Sequence, residues 1–572
     1  MDRVSQLRGA LARRELSRRR FIEQAGALGL TASGAAALLA ACSPNAPSQA
    51  GQRAGAAAPA AAPASAPASS GAVKTLTVAV EADVSSLRPD RFGPFMDRYA
   101  NRALYDVLLH FNTKQSPQGP WYDPDSYEFR IASAMETSPD RKTVTFTIRD
   151  NATFEGGKKI DAQTVVKPMQ WYWDNGGAGK GQLISNGVTS RDDFVAQGNK
   201  VVLTLKQPVP WGGWAKFVDL TSVIDVDEIM AHATADDPYG TRWLENNVIP
   251  SGPYKIEKRT KGEQIVMAAR PDYYGPKPAI GRIIFQVVAD PTVRYSLLKR
   301  GDVDMVSILD FKDLDDAKSD PNIVVESWDG NNWTVLGMSW KVPEFQDKNV
   351  RRAIACAVPT DEIIRSVYYG FANPMKAPWG TTVPGGDPSA WPYAYDLDRA
   401  RAYLAQSSYP NGFSQTLSIT NSDPNWEKIA QIIAESLNRI GIRIAIEKQT
   451  PAQIASGMVQ RNVPMGINAF TPFVHDPGYH VLWTQLPESG ANWFDYKNPE
   501  AEAVARQFLF LDPKDPARTP LLRRYQEIVA DDVLAVPICS LKVVIPHRKT
   551  VTGYAFFPDQ PTAFRFDRLT MS

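Results

Sequence analysis

Apolar and polar residues alternate in several short stretches of the first 250 positions. KTLTVAV (residues 74–80) is one. Val144, Phe146 and Ile148 share a face of DRKTVTFTIRDN, and Val201 and Leu203 repeat the pattern in NKVVLTLKQ. A period of two predicts half-buried strands, so hairpin-type strands dominate the region before about Asn246. Further on the period lengthens. Ile429, Ile432, Ile433, Leu437 and Ile440 form one helical stripe, with Ser422 or Asp423 as cap, Pro424 in the first turn and Gly441 as the stop. TLSIT precedes this helix and IRIAIEK follows it; TPAQIASGMVQR reads as a second short helix and MGINAF as another strand. That β-α-β-α-β spacing predicts a wound α/β lobe with right-handed crossovers. Asp396 is the expected cap of a helix in DLDRARAYLAQS. Val350, Ile354, Ala357 and Val358 stand at core spacing, and Cys356 beside them reads as a small buried thiol.

The first seventy residues follow neither period. LSRRRF is basic, and residues 25–41 are mostly Ala, Gly and Leu, the layout of an export signal. SRRRFIE resembles the twin-arginine consensus through Arg18 and Arg19, followed by Phe21 and Ile22, with Glu23 where a Lys is common. LAAC (residues 39–42) resembles the bacterial lipobox, which implies cleavage before Cys42 and acylation of that residue. Two or more acyl chains give lasting membrane attachment. Residues 43–73 are Ala, Pro, Ser and Gly with almost no large apolar side chain, an extended leash between an anchored end and a folded body.

Composition narrows the function. The chain has 572 residues, 43% hydrophobic and 22% charged, enough for several domains with a sizeable core. Lys+Arg 63 against Asp+Glu 62 leaves +1, which argues against nucleic acid as partner. The cysteines are Cys42, Cys356 and Cys539, too few for a disulfide framework and without a CxxC pair for zinc. Neither a GxSxG elbow nor a GxxxxGK[ST] loop occurs, so neither serine hydrolysis nor ATP chemistry is expected.

Several segments, in order, resemble the extracytoplasmic solute-binding proteins of the peptide/nickel ABC-importer class. They are SPDRKTVTFTIRDNATFEGGKKIDAQTVV, PSGPYKI, RPDYYG, YSLLKRGDVDM, FQDKNVRRAIACAVPTDEII, LNRIGIRIAIEK and YQEIVADDVLAVPI. The resemblance runs from about Val73 to the C-terminus. It implies two α/β lobes joined by two crossing strands and closing on a hinge around a ligand, with an extra α+β domain on the first lobe. The expected boundaries are 74–119, 246–325 and 525–572 for lobe I, 120–245 for the extra domain and 326–524 for lobe II. It further implies a monomeric receptor, without cofactor, metal or catalysis, that delivers a peptide to an ABC permease from the outer face of the cell membrane.

Binding residues follow from the same resemblance. In peptide binders of this class a Trp-x-x-Asp motif offers a carboxylate to the peptide amine. The related segment here is AFTPFVHDPGYHVLW, in which Phe470 takes the aromatic position, Phe473 the acidic one, and Asp476–Pro477 the following Asp-Pro. A phenyl ring cannot pair with an ammonium, so Asp476 is either a substitute acid or a turn residue before proline. Flat rings stack on sugar faces or apolar side chains, which keeps oligosaccharides open as the alternative ligand. Trp333, Trp379, Phe473, Tyr479, Trp483, Trp493 and Tyr99 are the candidate rings. Trp211 and Trp214 read as packing in the extra domain. His475 and His480 flank Asp476 without metal-ligand spacing. A secreted hydrolase and a surface adhesin are the competing classes.

Overall fold

The computed structural model describes residues 73–91, 95–208, 222–472, 474–557 and 565–572. The signal, the leash, Cys42, Trp211, Trp214 and Phe473 lie outside the described residues.

The alternating stretches become strands as expected. Thr75–Val80 lies between Met305–Val306 and Arg282–Val287, parallel to both. Antiparallel strands complete a seven-stranded sheet in the order Ile323–Trp328, Val543–Arg548, Met305–Val306, Thr75–Val80, Arg282–Val287, Gln264–Ala269, Tyr254–Thr260. A separate antiparallel sheet of four strands, Ala132–Thr137, Thr143–Ile148, Lys200–Thr204 and Phe194–Gln197, forms the extra domain with the helices Ala162–Asn175 and Gly177–Ser185. The hairpin Leu109–Ser116/Gly119–Phe129 spans the expected boundary at residue 120 and ties this domain to the first lobe.

The second lobe holds a six-stranded sheet in the order Ala372–Pro374, Ala535–Leu541, Trp333–Met338, Met465–Phe470, Ser414–Thr420, Arg443–Gln449. Its last three strands are mutually parallel, as the β-α-β-α-β spacing predicts. Asp423 caps the helix Pro424–Asn438 by accepting from Asn425 N, and Ile429, Ala430, Ile433 and Leu437 are buried beneath it. Asp396 accepts from the Asp398 and Arg399 amides to cap Leu397–Ala405. Cys356 is buried and free, and burial pushes its thiol up.

One boundary differs from expectation. The return to lobe I was placed at residue 525, yet the helix Arg518–Asp532 packs into the second lobe and AVPICSL is a strand of the second sheet. Six of those seven residues are buried, so the segment needs neighbours on both faces and sits inside the sheet rather than leading out of it. The return to the first lobe begins at Val543, and Val551, Tyr554, Phe556, Phe566 and Leu569 join that lobe's core.

The chain therefore crosses between the sheets at two adjacent places, residues 329–332 and Lys542. Asn332 fastens them together. Its Nδ2 donates to the Leu541 carbonyl at 2.7 Å, and the Leu541 amide donates to its Oδ1 at 2.7 Å. Ser540 Oγ donates to the carbonyls of Gly330 and Asn332, at 3.0 and 2.6 Å. Asp329 accepts from Gln118 at 2.7 Å and from Asn373 at 2.5 Å, one on each side of the crossing. The backbones approach so closely that a Cβ on Gly330 would stand 2.2 Å from the Leu541 oxygen. One on Gly380 would stand 2.1 Å from the Asn331 oxygen.

Asn332→Ala leaves the Leu541 amide and carbonyl without side-chain partners. The expected loss is about 1–3 kcal/mol in urea unfolding; a change below about 0.5 kcal/mol would mean that the crossings hold together without this side chain.

Candidate functional site

The site is built where the second sheet meets the first lobe. Trp333 begins its strand directly after the first crossing and pairs with Phe470, the last residue of the neighbouring strand. Five residues then lead to Asp476, whose extended backbone and Pro477 start the short helix Pro477–Thr484. Asp476 accepts from Gly478 N at 2.8 Å and from Arg518 Nη2 at 2.5 Å, and both charged side chains are buried. Its carboxylate is thus engaged in capping the helix and neutralising Arg518.

The helix sets its rings in a row. Tyr479 lies between Phe470 and Trp483, with centroids 6.3 and 5.8 Å away. His480 stands edge-on to Trp333 at 6.1 Å and to Phe470 at 5.6 Å. Trp333, Phe470, Tyr479, His480 and Trp483 therefore form one aromatic group beside the hinge. Trp379 is wholly buried in the core that also contains Trp333 and Val335. Trp493 is not part of the group: it packs on a satellite cluster of Ile454, Met458, Val463 and Phe494. Tyr99 is buried in the first lobe on the helix Phe95–Leu104, with Arg98, Glu81 and Tyr554 as electrostatic neighbours.

Contacts across the seam between the lobes close over this group. Gln182 Nε2, from the extra domain, donates to Tyr479 OH at 3.2 Å. Tyr122 OH and His475 Nδ1 are 2.5 Å apart, and His475 Nε2 is 3.1 Å from Thr382 Oγ1. Trp121 packs on Phe556 at 4.5 Å and on His475 at 6.5 Å. At the outer edge Arg141 donates to the Phe510 carbonyl and pairs with Asp512 at 3.4 Å, while Lys514 meets Asp125 at 2.9 Å. Arg141 reaches there from a tight turn in which Asp140 accepts from Ser138 Oγ and Lys142 N.

Electrostatics mark two groups. Burial lowers Arg98 to about 10, against the opposing pull of Tyr479 and Tyr99, so it remains a cation at neutral pH beside the aromatic row. Burial depresses His480 to about 3; His475 adds to the effect, and Asp476 and the Asn331 backbone oppose it. Sequence reasoning missed Arg98, Tyr122, Gln182 and Thr382. The glycine spacing of GAGKGQLIS was the available signal for Gln182: a Cβ on Gly181 would lie 3.6 Å from Trp483, so this short helix approaches closely because it lacks side chains there.

His480 gives the site a pH signature. Its folded pKa lies below the unfolded imidazole value of about 6.5. As pH falls through about 6.5 the unfolded chain gains a proton that the folded chain refuses, so stability is lost progressively down to about pH 3. From about pH 7.5 to about pH 5 this residue removes about 2 kcal/mol. His480→Gln should flatten the pH dependence of the urea midpoint by that amount; parallel curves for the two proteins would contradict it.

A comparison with family models matches residues 127–492 to the bacterial extracellular solute-binding proteins, family 5 Middle. The chain is 26% identical over 451 residues to the probable D,D-dipeptide-binding periplasmic protein DdpA of Escherichia coli K12, covering 77% of this chain and 84% of that protein. It is also 26% identical over 518 residues to the dipeptide-binding protein of the same organism, covering 85% and 92%. Among solved structures, the periplasmic binding protein DppA from Helicobacter pylori in complex with the peptide STSA superimposes with a TM-score of 0.73 at 24% identity, over 87% of this chain and 98% of that one. Two lobes with a double crossing, an aromatic group at the hinge and a matched stretch covering more than half of the sequence lead to one assignment: the chain belongs to the bacterial extracellular solute-binding proteins of family 5.

Proposed function

We propose that this protein captures a short peptide between its two lobes and delivers it to an ABC permease, held at the outer face of the cell membrane by lipid on Cys42. The observation that carries the capture step is the seam. Gln182 reaches Tyr479 and Tyr122 reaches His475 over an aromatic group beside a two-strand hinge. Such contacts form on closure and break on opening, so a solute that bridges the lobes shifts the population toward the closed state. Peptide is favoured as the solute because the two curated relatives above are named for dipeptides.

The rings of Trp333, Phe470 and Tyr479, together with Phe473 in place of an acidic residue, support oligosaccharide as a second reading. The anchoring half rests on the LAAC segment and the leash that follows it. A tethered receptor gains effective concentration near its permease. Export through the twin-arginine route, conversion of Cys42 to the mature N-terminus and a monomeric state belong to the same proposal.

Titration of intrinsic tryptophan fluorescence with di- and tripeptides should give saturable binding. Gln182→Ala, which removes one seam hydrogen bond, should weaken it about two- to tenfold without moving the unfolding midpoint. Saturable binding of oligosaccharides with no response to peptides would replace the peptide reading, and no response to either would end both. Labelled palmitate should enter the full chain in bacterial cells and fail to enter Cys42→Ser; equal labelling would remove the anchor.

A further inference from the structure

A cavity lies on the seam at the outer end of the aromatic row, where Trp483 forms part of its lining. Its volume is about 350 Å³, within the range of small-molecule sites. One wall is the extra-domain helix Gly177–Ser185, through Gly181 and Ile184. The other is second-lobe material, through Leu482, Trp483, Leu509 and Phe510. The row Phe470–Tyr479–Trp483 ends at this cavity, and Gln182, one position after Gly181 of its lining, bonds Tyr479 across the seam.

The lining is apolar for reasons that can be traced atom by atom. Ser185 Oγ donates to the Gln182 carbonyl at 2.9 Å, and Ser489 Oγ donates to the Trp483 carbonyl, so both hydroxyls are turned inward to backbone. Glu488, at the rim, is paired with Arg506 at 2.8 Å. Ile184 is 53% exposed and Phe510 40%, two large apolar side chains left facing water at the same opening. A concave space with spent hydroxyls and a neutralised rim charge offers nothing to an ion or a sugar. It offers contact area to a small, uncharged, largely aromatic or aliphatic molecule.

We infer that this cavity is a binding site for a neutral apolar small molecule, additional to the solute site proposed at the aromatic group near the crossings. Because its walls come from opposite sides of the seam, the site is complete only when the seam is shut. Its occupant therefore favours the closed form, and by linkage raises the apparent affinity for any solute that also requires closure.

The test uses the full chain and the neutral fluorophore Prodan. Saturable one-to-one binding is expected, with blue-shifted emission and energy transfer from tryptophan. A Cβ on Gly181 meets Trp483 at ordinary contact distance, and leucine suits a helix better than glycine, so Gly181→Leu fills the cavity without straining the backbone. It should weaken Prodan at least tenfold while the unfolding midpoint holds or rises. Trp483→Ala, which removes a wall, should weaken it similarly. Absence of saturable binding, or equal affinity in Gly181→Leu, would overturn the assignment. So would a dimer in sedimentation velocity that Gly181→Leu abolishes, since the cavity would then belong to a second copy of the chain.

Discussion

The connection between the two lobes depends on Asn332. Two strands leave one sheet for the other side by side, and the Asn332 carboxamide joins them by exchanging two hydrogen bonds with the Leu541 backbone, beside the Ser540 hydroxyl on Gly330 and Asn332. The side chain does here what a ladder pair would do in a sheet, at the point where both ladders have ended. Two loose connections would let the lobes twist and slide as well as swing. Two connections locked to each other, with Gly330 and Gly380 permitting backbone contact, leave bending as the cheap motion.

Given that constraint, the distribution of the other contacts acquires meaning. Near the crossings the interactions are short and largely buried, as with Ser540 on Gly330 and Asn332. Toward the outer edge they become solvent-exposed ion pairs such as Lys514–Asp125, worth about 0–1 kcal/mol each. Between the two lie single hydrogen bonds between uncharged groups, Gln182–Tyr479 among them. A seam of that kind closes readily and opens readily. Weak contacts of that kind fit the proposed capture and release of a solute.

Much of this was legible in the residues. The caps at Asp423 and Asp396 and the β-α-β-α-β lobe followed from local chemistry, because a cap and its amides are two or three positions apart. The boundary near residue 525 was misjudged because AVPICSL carries no local mark of which sheet it joins; only its burial on both faces decides that. The site was half legible. Trp333, Trp379 and Tyr479 share one buried cluster with Trp483 packed against it, while Trp493 lies on a satellite cluster, since a ring is equally at home in either place. The partner of Asp476, Arg518, stands 42 positions away and has no local signal. The seam pairs were invisible in principle: Tyr122 and His475 are 353 positions apart, and Gln182 and Tyr479 are 297 apart.

The central claim is that the lobes close on the Asn332 hinge around a captured solute. Spin labels on Asp125→Cys and Lys514→Cys, in a Cys42→Ser background where Cys356 and Cys539 are buried, report the width of the seam at its outer edge. Double electron–electron resonance should give a broad or two-component distance distribution without solute. It should collapse to the short component when peptide is saturating. A single short distance that no solute alters would contradict the account.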